Sequence, residues 1–155
     1  MHARTTQPWA LRPATPEDLE AIVELRAVVM RPDLVRLGRY DEDRVRRRMR
    51  DSYVPEHASV IVAEGRFAGS VTLRPHQDGH CLESFFIDER LQGRGIGSAV
   101  LSGLLARTDA EGVPVRLDVL QGSAARRLYE RHGFVLERED SVDVFMVRRP
   151  PVPTA

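Results

Sequence analysis

The stretch "ESFFIDERLQGRGIGSAVL", residues 83–101, decides how the rest of the sequence is interpreted. A largely apolar segment ends in a turn with glycines at three alternate positions, Gly93, Gly95 and Gly97, and an apolar pattern with helical spacing follows. Main-chain N–H groups at a helix N-terminus bind anions, and glycines allow a ligand to approach the backbone closely. The stretch therefore predicts a strand, an anion-binding loop and a helix.

Two other interpretations of the glycines must be weighed. Their spacing is near that of a dinucleotide-binding fingerprint, with Asp118 at about the distance of its ribose-binding acid. However, "DERLQ" separates the strand from the glycines, and two strands and two helices are predicted before it. A merely flexible helix start is also disfavoured, because each glycine costs up to roughly 1 kcal/mol relative to alanine.

Composition excludes several classes of protein. The 155 residues fit one domain, and the formal net charge of zero gives no overall field that would attract nucleic acid or an anionic membrane. All 23 basic residues are Arg, so Schiff-base chemistry and a Walker-type loop, which both need Lys, are excluded. A single cysteine, Cys81, permits no internal disulfide. We expect a soluble cytoplasmic protein without nucleic-acid or membrane partners.

The order of predicted elements is strand, two helices, three strands, helix, strand, helix and two strands, a mixed α/β domain. The first strand covers residues 8–13, and the first helix begins at Thr15, with its pattern broken by Pro32 and Gly38. Asp41 caps the second helix, whose arginine run at 44–50 reads as a solvated face. We expect one domain over residues 1–149 and a flexible tail over 150–155.

Two separated motifs resemble those of the GNAT superfamily of N-acyltransferases. "QGRGIG" at 92–97 is similar to the family's acyl-CoA signature, Q/R-x-x-G-x-G/A, and "ARRLYERHGF" at 125–134 is similar to its A-x-x-L-Y-x-x-x-G-F segment. The element order matches over residues 9–149. The resemblance implies a central mixed, mostly antiparallel sheet of six to seven strands with about four helices, acetyl-CoA as co-substrate and no metal. One departure is Gly122, where many members carry Asn.

The resemblance also implies how acetyl-CoA is held. The main-chain groups of Phe85, Phe86 and Ile87 pair with the pantetheine arm, and an amide there serves as an oxyanion donor. Ser123 substitutes at the helix cap, and Tyr129 lies near the sulfur. The diphosphate is expected to contact the loop residues Gln92, Gly93, Arg94, Gly95, Ile96, Gly97 and Ser98, with the Gln92 and Arg94 side chains as further donors.

Acetyl transfer requires a neutral amine and a stabilised thiolate, although an amine's pKa is about 10.4 and a thiol's about 8.5. Glu83 is the candidate base, because a carboxylate among apolar neighbours usually has a partner or a task. "LESFF" at 82–86 resembles "LEDFF" of polyamine acetyltransferases, in which that Glu deprotonates the amine directly or through water. Tyr129 is the candidate acid. The alternatives are that Glu83 only pairs with an arginine and that Tyr129 is a core residue.

The acceptor is predicted less sharply. Asp118 is expected to bind a cationic substrate or orient Glu83, unless it faces the surface beside Arg116. Residues 28–40, 74–80 and the last hairpin are expected to surround the acceptor. Glu83, Asp118, Asp140 and Asp143 suit a cation, so we expect a small amine such as a polyamine or an aminoglycoside-like drug. A protein N-terminus or lysine, or a non-catalytic acyl-CoA-binding module, is the alternative. The five histidines show no metal-ligand spacing, and a homodimer remains open.

Overall fold

A computed structural model describes residues 9–152 and confirms the predicted α/β class and element order. The first half comprises β1 (Trp9–Pro13), α1 (Leu19–Arg36), α2 (Glu42–Ser52), β2 (Ala58–Ala63), β3 (Arg66–His76) and β4 (Gly79–Ile87). The second half comprises α3 (Ile96–Glu111), β5 (Val115–Leu120), α4 (Ala125–Arg131), β6 (Val135–Glu139) and β7 (Asp143–Arg148). Residue 8 of the predicted first strand and residues 153–155 of the predicted tail lie outside the described part.

The seven strands form one sheet in the order β1-β2-β3-β4-β5-β7-β6. Every neighbouring pair is antiparallel except β4 and β5, which run parallel and pair only at His80 with Val115 and Cys81 with Arg116. After these two positions the strands part, while β5 stays paired with β7 as far as Leu120. The sheet therefore has a gap at its centre, beside the C-terminal half of β4.

A β-bulge shapes β4 at this gap. Glu83 pairs with Thr72 and Phe86 with Ser70, so two residues of β4 lie opposite a single residue of β3. Ser84, in the bulge, has a φ of 49°, a left-handed conformation that few non-glycine residues adopt. Across the pair, a Cβ on Gly69 would lie 2.2 Å from the Phe86 carbonyl oxygen, so only glycine fits. The bulge therefore changes the direction of β4 immediately after Glu83.

Helices cover both faces of the sheet. On one face α3 buries Val100, Leu101, Leu104 and Leu105, as its spacing predicts, and α4 packs beside it. On the other face α1 buries Ile22 and Val23 against Met49 of α2. Burying each such side chain stabilises the fold by roughly 1.5–3 kcal/mol. Gly112, at φ 72°, ends α3, and Asp41 caps α2 by accepting bonds from the Asp43 and Arg44 amides, both as predicted.

Of the two predicted breaks in the first helix, Pro32 does not end it, whereas Gly38, at φ 69°, directly follows its C-cap. The helix α1 continues through Pro32 to Arg36. Proline removes one hydrogen bond, the one to the carbonyl of Val28, and Val28 lies on the exposed face with 52% of its surface accessible. Water can therefore reach that carbonyl, while the opposite face of the helix stays packed on the sheet. The extra turn brings Asp33 and Leu34 to the central gap.

Candidate functional site

The glycine loop (residues 92–98) connects the end of β4 to α3. Gly93 and Gly95 both have a φ of 80°, and Gly95 is the N-cap residue immediately before α3. Within the described chain, the amide N–H groups of residues 93–98 donate to no acceptor; the first paired amide is that of Ala99, 3.0 Å from the Gly95 carbonyl oxygen. Consecutive free amides at the positive end of a long helix suit an anion such as a diphosphate.

The side chains of the loop are used within the protein. Gln92 Nε2 donates to the Ile87 carbonyl oxygen at 3.0 Å, and Ser98 Oγ lies 2.9 Å from His132 Nε2. Arg94 is exposed and pairs with Glu64 at 3.5 Å, a contact that solvent screens. The expectation that Gln92 supplies a further outward donor is therefore not supported, and the loop offers mainly its main chain.

Gly97 fixes the loop against the sheet. A Cβ at this position would lie 3.2 Å from Ile87 Cδ1, 3.7 Å from Leu128 Cδ2 and 3.9 Å from Phe85 Cζ. The start of α3 is therefore in close contact with β4 and α4. Because Phe85 also lines the central gap, the loop lies directly next to that gap.

A cleft of about 820 Å³ occupies the gap between β4 and β5. It brings together six of the predicted site residues, which come from β4, β5, α4 and the turn before α4: Glu83, Phe85, Phe86, Asp118, Ser123 and Tyr129. Ile87 and the glycine loop lie outside its lining. The turn Asp140–Asp143 and the first two helices close the other sides. As predicted, residues of 28–40 and of the last hairpin contribute.

Glu83 forms the arginine pair that the sequence left as an alternative. Its Oε1 accepts a hydrogen bond from Arg74 Nε at 2.7 Å. No described residue donates to Oε2, and the side chain is 31% exposed in the cleft. The pairing therefore uses one carboxylate oxygen and leaves the other available to a substrate or a water molecule.

Tyr129 is a core residue with its hydroxyl at the cleft. The residue is 7% exposed, and its ring packs edge-to-face on Phe134 at 5.7 Å between centroids. Its hydroxyl has no partner among the side chains and main chain of residues 9–152. Burial raises the pKa of Tyr129, and the negative charge of Asp118 raises it further, so the phenol stays protonated at neutral pH.

Asp118 faces the cleft, and Arg116 pairs instead with Glu137 at 3.2 Å and Asp78 at 3.3 Å. The alternative of a surface pair with Arg116 is therefore wrong. Asp118 is exposed to the solvent of the cleft, but the cleft walls limit the hydration of its carboxylate and raise its pKa, and the charges of Asp143 and Glu83 raise it further. We name the cleft residues Glu83, Asp118 and Asp143 the acidic wall. Asp140 is not part of it, because its Oδ1 accepts the amides of Val142 and Asp143.

Two sequence expectations about the surroundings of the site are corrected. Residues 74–80 do not line the cleft; they form the turn between β3 and β4, where Gly79 packs against the Pro114 carbonyl. The arginine run of α2 is not only a solvated face: Arg44 and Arg48 are exposed, as predicted, and they also line the cleft with Arg26 and Arg39. The four-residue spacing of Arg44 and Arg48 could have indicated a shared face, but not what that face contacts.

Cys81 and the potential metal-ligating side chains do not form a nucleophilic or metal site within residues 9–152. Burial, with the nearby Glu83 charge, raises the pKa of Cys81 to about 12, so the thiol is protonated and a poor nucleophile. Across residues 9–152, no three His, Cys, Asp or Glu side chains are grouped as metal ligands. Within the same range, no helix has the length and apolar character needed to cross a membrane.

Comparisons with known proteins agree with this geometry. A family model described as an acetyltransferase (GNAT) domain matches residues 56–136, just over half of the chain. No curated protein matches. Among solved structures, the PaiA N-acetyltransferase of Thermoplasma acidophilum, in complex with coenzyme A, is similar at 20% identity with a TM-score of 0.74, covering 91% of this chain and 98% of that one.

Two further structures have the same fold. Ard1 from Thermoplasma volcanium is 22% identical with a TM-score of 0.68, covering 94% of this chain and 99% of that one. An N-acetyltransferase from Staphylococcus aureus Mu50 is 20% identical with a TM-score of 0.68, covering 89% and 99%. At 20–22% identity, these similarities show only that the fold is shared. Membership of a family is shown by the family model. The chain belongs to the GNAT superfamily of acetyltransferases, which take their acetyl group from acetyl-CoA.

Proposed function

We propose that the protein transfers an acetyl group from acetyl-CoA to a primary amine by direct attack in a ternary complex. The observation that carries the proposal is a single cleft that joins Glu83, Asp118 and Tyr129 at the gap between β4 and β5. The free amides of the glycine loop lie next to the same gap. A donor site and an acceptor site thus meet at the unpaired edge of β4.

The loop and the strand edge fit the donor. Acetyl-CoA supplies an acetyl thioester and carries a diphosphate, which suits the six consecutive amides of residues 93–98. The unpaired edge of β4 after Cys81 suits the amide-bearing pantetheine arm, and Phe85 lines the cleft there, whereas the Phe86 carbonyl faces Gly69 of β3. Ser123 Oγ accepts the Ala125 amide at 3.2 Å, which supports its expected role at the start of α4.

Glu83 is proposed as the base that takes a proton from the acceptor. Its Oε2 is free of protein partners within the described chain, whereas Arg74 holds Oε1 and fixes the orientation of the carboxylate. A positioned base of this kind contributes about 10²–10⁴ in rate. Proton transfer directly to Oε2 or through one water molecule is compatible with a side chain that is 31% exposed.

Tyr129 is proposed as the acid that stabilises the leaving sulfur. A phenol has a pKa of about 10 and a thiol one of about 8.5, and burial raises the pKa of Tyr129 further. Complete proton transfer from Tyr129 to a thiolate is therefore uphill. Tyr129 would instead donate a hydrogen bond to the negative charge that develops on the sulfur, and it would contribute less to the rate than Glu83.

The acidic wall supports an acceptor that arrives as an ammonium ion, and a small molecule of the polyamine or aminoglycoside kind is the first candidate. A protein N-terminus or lysine side chain is the second. We also propose that residues 1–149 act as one domain, in the cytoplasm, as a monomer or homodimer. A non-catalytic acyl-CoA-binding module is disfavoured, since Glu83 and Tyr129 both line the cleft.

Two measurements test the proposed function. Isothermal titration should show binding of acetyl-CoA at micromolar to millimolar concentrations. A screen of polyamines, aminoglycosides, amino acids and peptides, read out by thiol release, should then show amine-dependent turnover. Absence of acetyl-CoA binding would refute the proposal, and binding without turnover on any amine would favour the regulatory module.

A further inference from the structure

The arginines of α1, α2 and the turn between them fall into two groups: some form ion pairs between the helices, and others line the cleft. Arg46 and Arg50, on the outer side of α2, pair with Glu24 and Glu20 of α1 at 2.9 and 2.8 Å. The arginines that line the cleft are different, and we name them the arginine wall: Arg26, Arg39, Arg44 and Arg48. No carboxylate of residues 9–152 lies within ion-pair distance of any of these four guanidinium groups.

Arg26 is the member of the arginine wall with the least water around it. It is half-buried, its Nε donates to the Val45 carbonyl oxygen at 3.0 Å, and its guanidinium carbon lies 5.8 Å from the centre of the Phe86 ring. Burial lowers the pKa of Arg26, and the positive charge of Arg48 lowers it further. A desolvated guanidinium with a like charge nearby is unfavourable unless an anion joins it.

The acidic wall lines the same cleft; Arg74 pairs with Glu83, but Asp118 and Asp143 form no ion pair within residues 9–152. Asp118 and Arg26 influence each other electrostatically without forming an ion pair, and Arg48 and Arg39 act on Asp143 in the same way. The two walls thus line one cleft, and within residues 9–152 no ion pair joins a member of one wall to a member of the other. A polycation would satisfy the acidic wall but would place positive charge against the arginine wall. A molecule with charges of both signs satisfies both.

We propose that the acceptor is an amine that also carries an anionic group, a carboxylate or a phosphate. Its ammonium group lies at the acidic wall, near Glu83, and its anionic group is bound by Arg26 and Arg48. This inference rests on the proposed acetyl transfer to an amine, and it replaces the first acceptor candidate, a polyamine or aminoglycoside without an anionic group, by a zwitterionic amine. A guanidinium binds either anion through paired hydrogen bonds, so the structure points to the charge rather than to one of the two groups.

The test uses pairs of molecules that share an amine and differ in the anion. L-lysine is compared with cadaverine for a carboxylate, and phosphoethanolamine with ethanolamine for a phosphate. Each is titrated by NMR into the complex with coenzyme A and assayed with acetyl-CoA by thiol release. Arg48→Ala is the informative variant, because Arg48 is exposed and its loss leaves the fold intact. Arg47→Ala, the exposed neighbour outside the cleft lining, is the matched control.

We expect the anionic member of at least one pair to bind about tenfold more tightly than its partner, as charged hydrogen bonds of this kind allow. Arg48→Ala should remove that difference and leave the affinity for coenzyme A unchanged, and Arg47→Ala should preserve it. Tighter binding of cadaverine and ethanolamine, equal effects of Arg48→Ala on both members, or loss of coenzyme A affinity instead would overturn the inference.

The binding titration separates this inference from the proposed function. If the anionic member binds through Arg48 but no amine is acetylated, the inference about the ligand stands and the catalytic proposal fails. If amines are acetylated without any preference for an anionic group, the catalytic proposal stands and the inference about the ligand fails.

Discussion

The glycine loop and the cleft both bind charged groups, but they are built in opposite ways. The loop is one continuous stretch whose donors are main-chain amides, and its polar side chains are tied to Ile87, Glu64 and His132. The cleft collects charged side chains from separate helices, strands and a turn. Binding at the loop should therefore depend on backbone conformation and little on single charges, whereas the cleft should respond strongly to charge and pH.

The largest expected effect is that of Glu83→Gln, which tests the cleft and spares the loop. Loss of the carboxylate should lower kcat by about 10²–10³-fold, because the amine keeps its proton. The affinity for acetyl-CoA should stay within twofold in a calorimetric titration. Glu89→Gln, which neutralises an exposed carboxylate outside the cleft lining, should change neither value. A Glu83→Gln enzyme with normal kcat would leave Glu83 as only a partner of Arg74.

Tyr129→Phe should lower kcat by about 10–100-fold, less than the loss of Glu83, since the phenol contributes a hydrogen bond rather than a full proton. Because no described group bonds to the hydroxyl, the free energy of unfolding should hardly change, which urea titration can check. Tyr40→Phe removes the same atom outside the cleft lining and should leave kcat intact. Normal turnover by Tyr129→Phe would reduce Tyr129 to a core residue.

Gly95→Ala tests the loop in the same manner. A side chain at φ 80° costs about 1–2 kcal/mol, so the loop should rearrange and its amides should lose their common direction. We expect roughly tenfold weaker binding of acetyl-CoA by calorimetry, with an unchanged KM for the amine. Gly103→Ala lies within α3, meets no atom within 4 Å, and should stabilise the protein by about 0.4–1 kcal/mol without affecting affinity. Equal affinities in both variants would contradict the backbone-based view of the loop.

The smallest effect is a pH-dependent change in stability at the cleft. The pKa of Asp118 is raised in the folded protein, mainly because the cleft limits the hydration of its carboxylate, so its ionisation opposes folding as pH rises above the ordinary Asp value of about 3.9. Asp118→Asn should therefore raise the Tm at pH 7, and this gain should vanish as pH falls towards 4. The same variant should bind the amine less well, which the KM would show.

Asp140→Asn provides the control of opposite sign. The amides of Asp143 and Val142 lower the pKa of Asp140, so its carboxylate stabilises the fold at neutral pH and loses this contribution only as pH falls through that lowered value. Asp140→Asn should thus lower the Tm at pH 7 and approach the wild type in acid. Shifts of the same direction in both variants would show that the cleft does not destabilise Asp118.

The parts of the molecule that the sequence predicts well are local. The loop conformation is indicated by glycines within seven consecutive residues. The buried face of α3 is indicated by the helical spacing of its apolar residues. The arginine wall could not be predicted, because Arg26 and Arg48 are 22 positions apart and meet only through the packing of α1 on α2. The continuation of α1 past Pro32 was missed for a similar reason, since packing on the sheet outweighs one lost hydrogen bond.

The meagre contact between β4 and β5 divides the sheet into two blocks, β1–β4 and β5–β7, joined by two residue pairs. Acetyl-CoA bound along the open edge of β4 would contact both blocks, so the free energy of unfolding should be higher for the complex than for the free protein. Ligand at one hundred times its Kd adds about 2.7 kcal/mol to the free energy of unfolding. We expect the largest decrease in amide hydrogen-exchange rates in β5 and β7, because only two residue pairs join their block to β4.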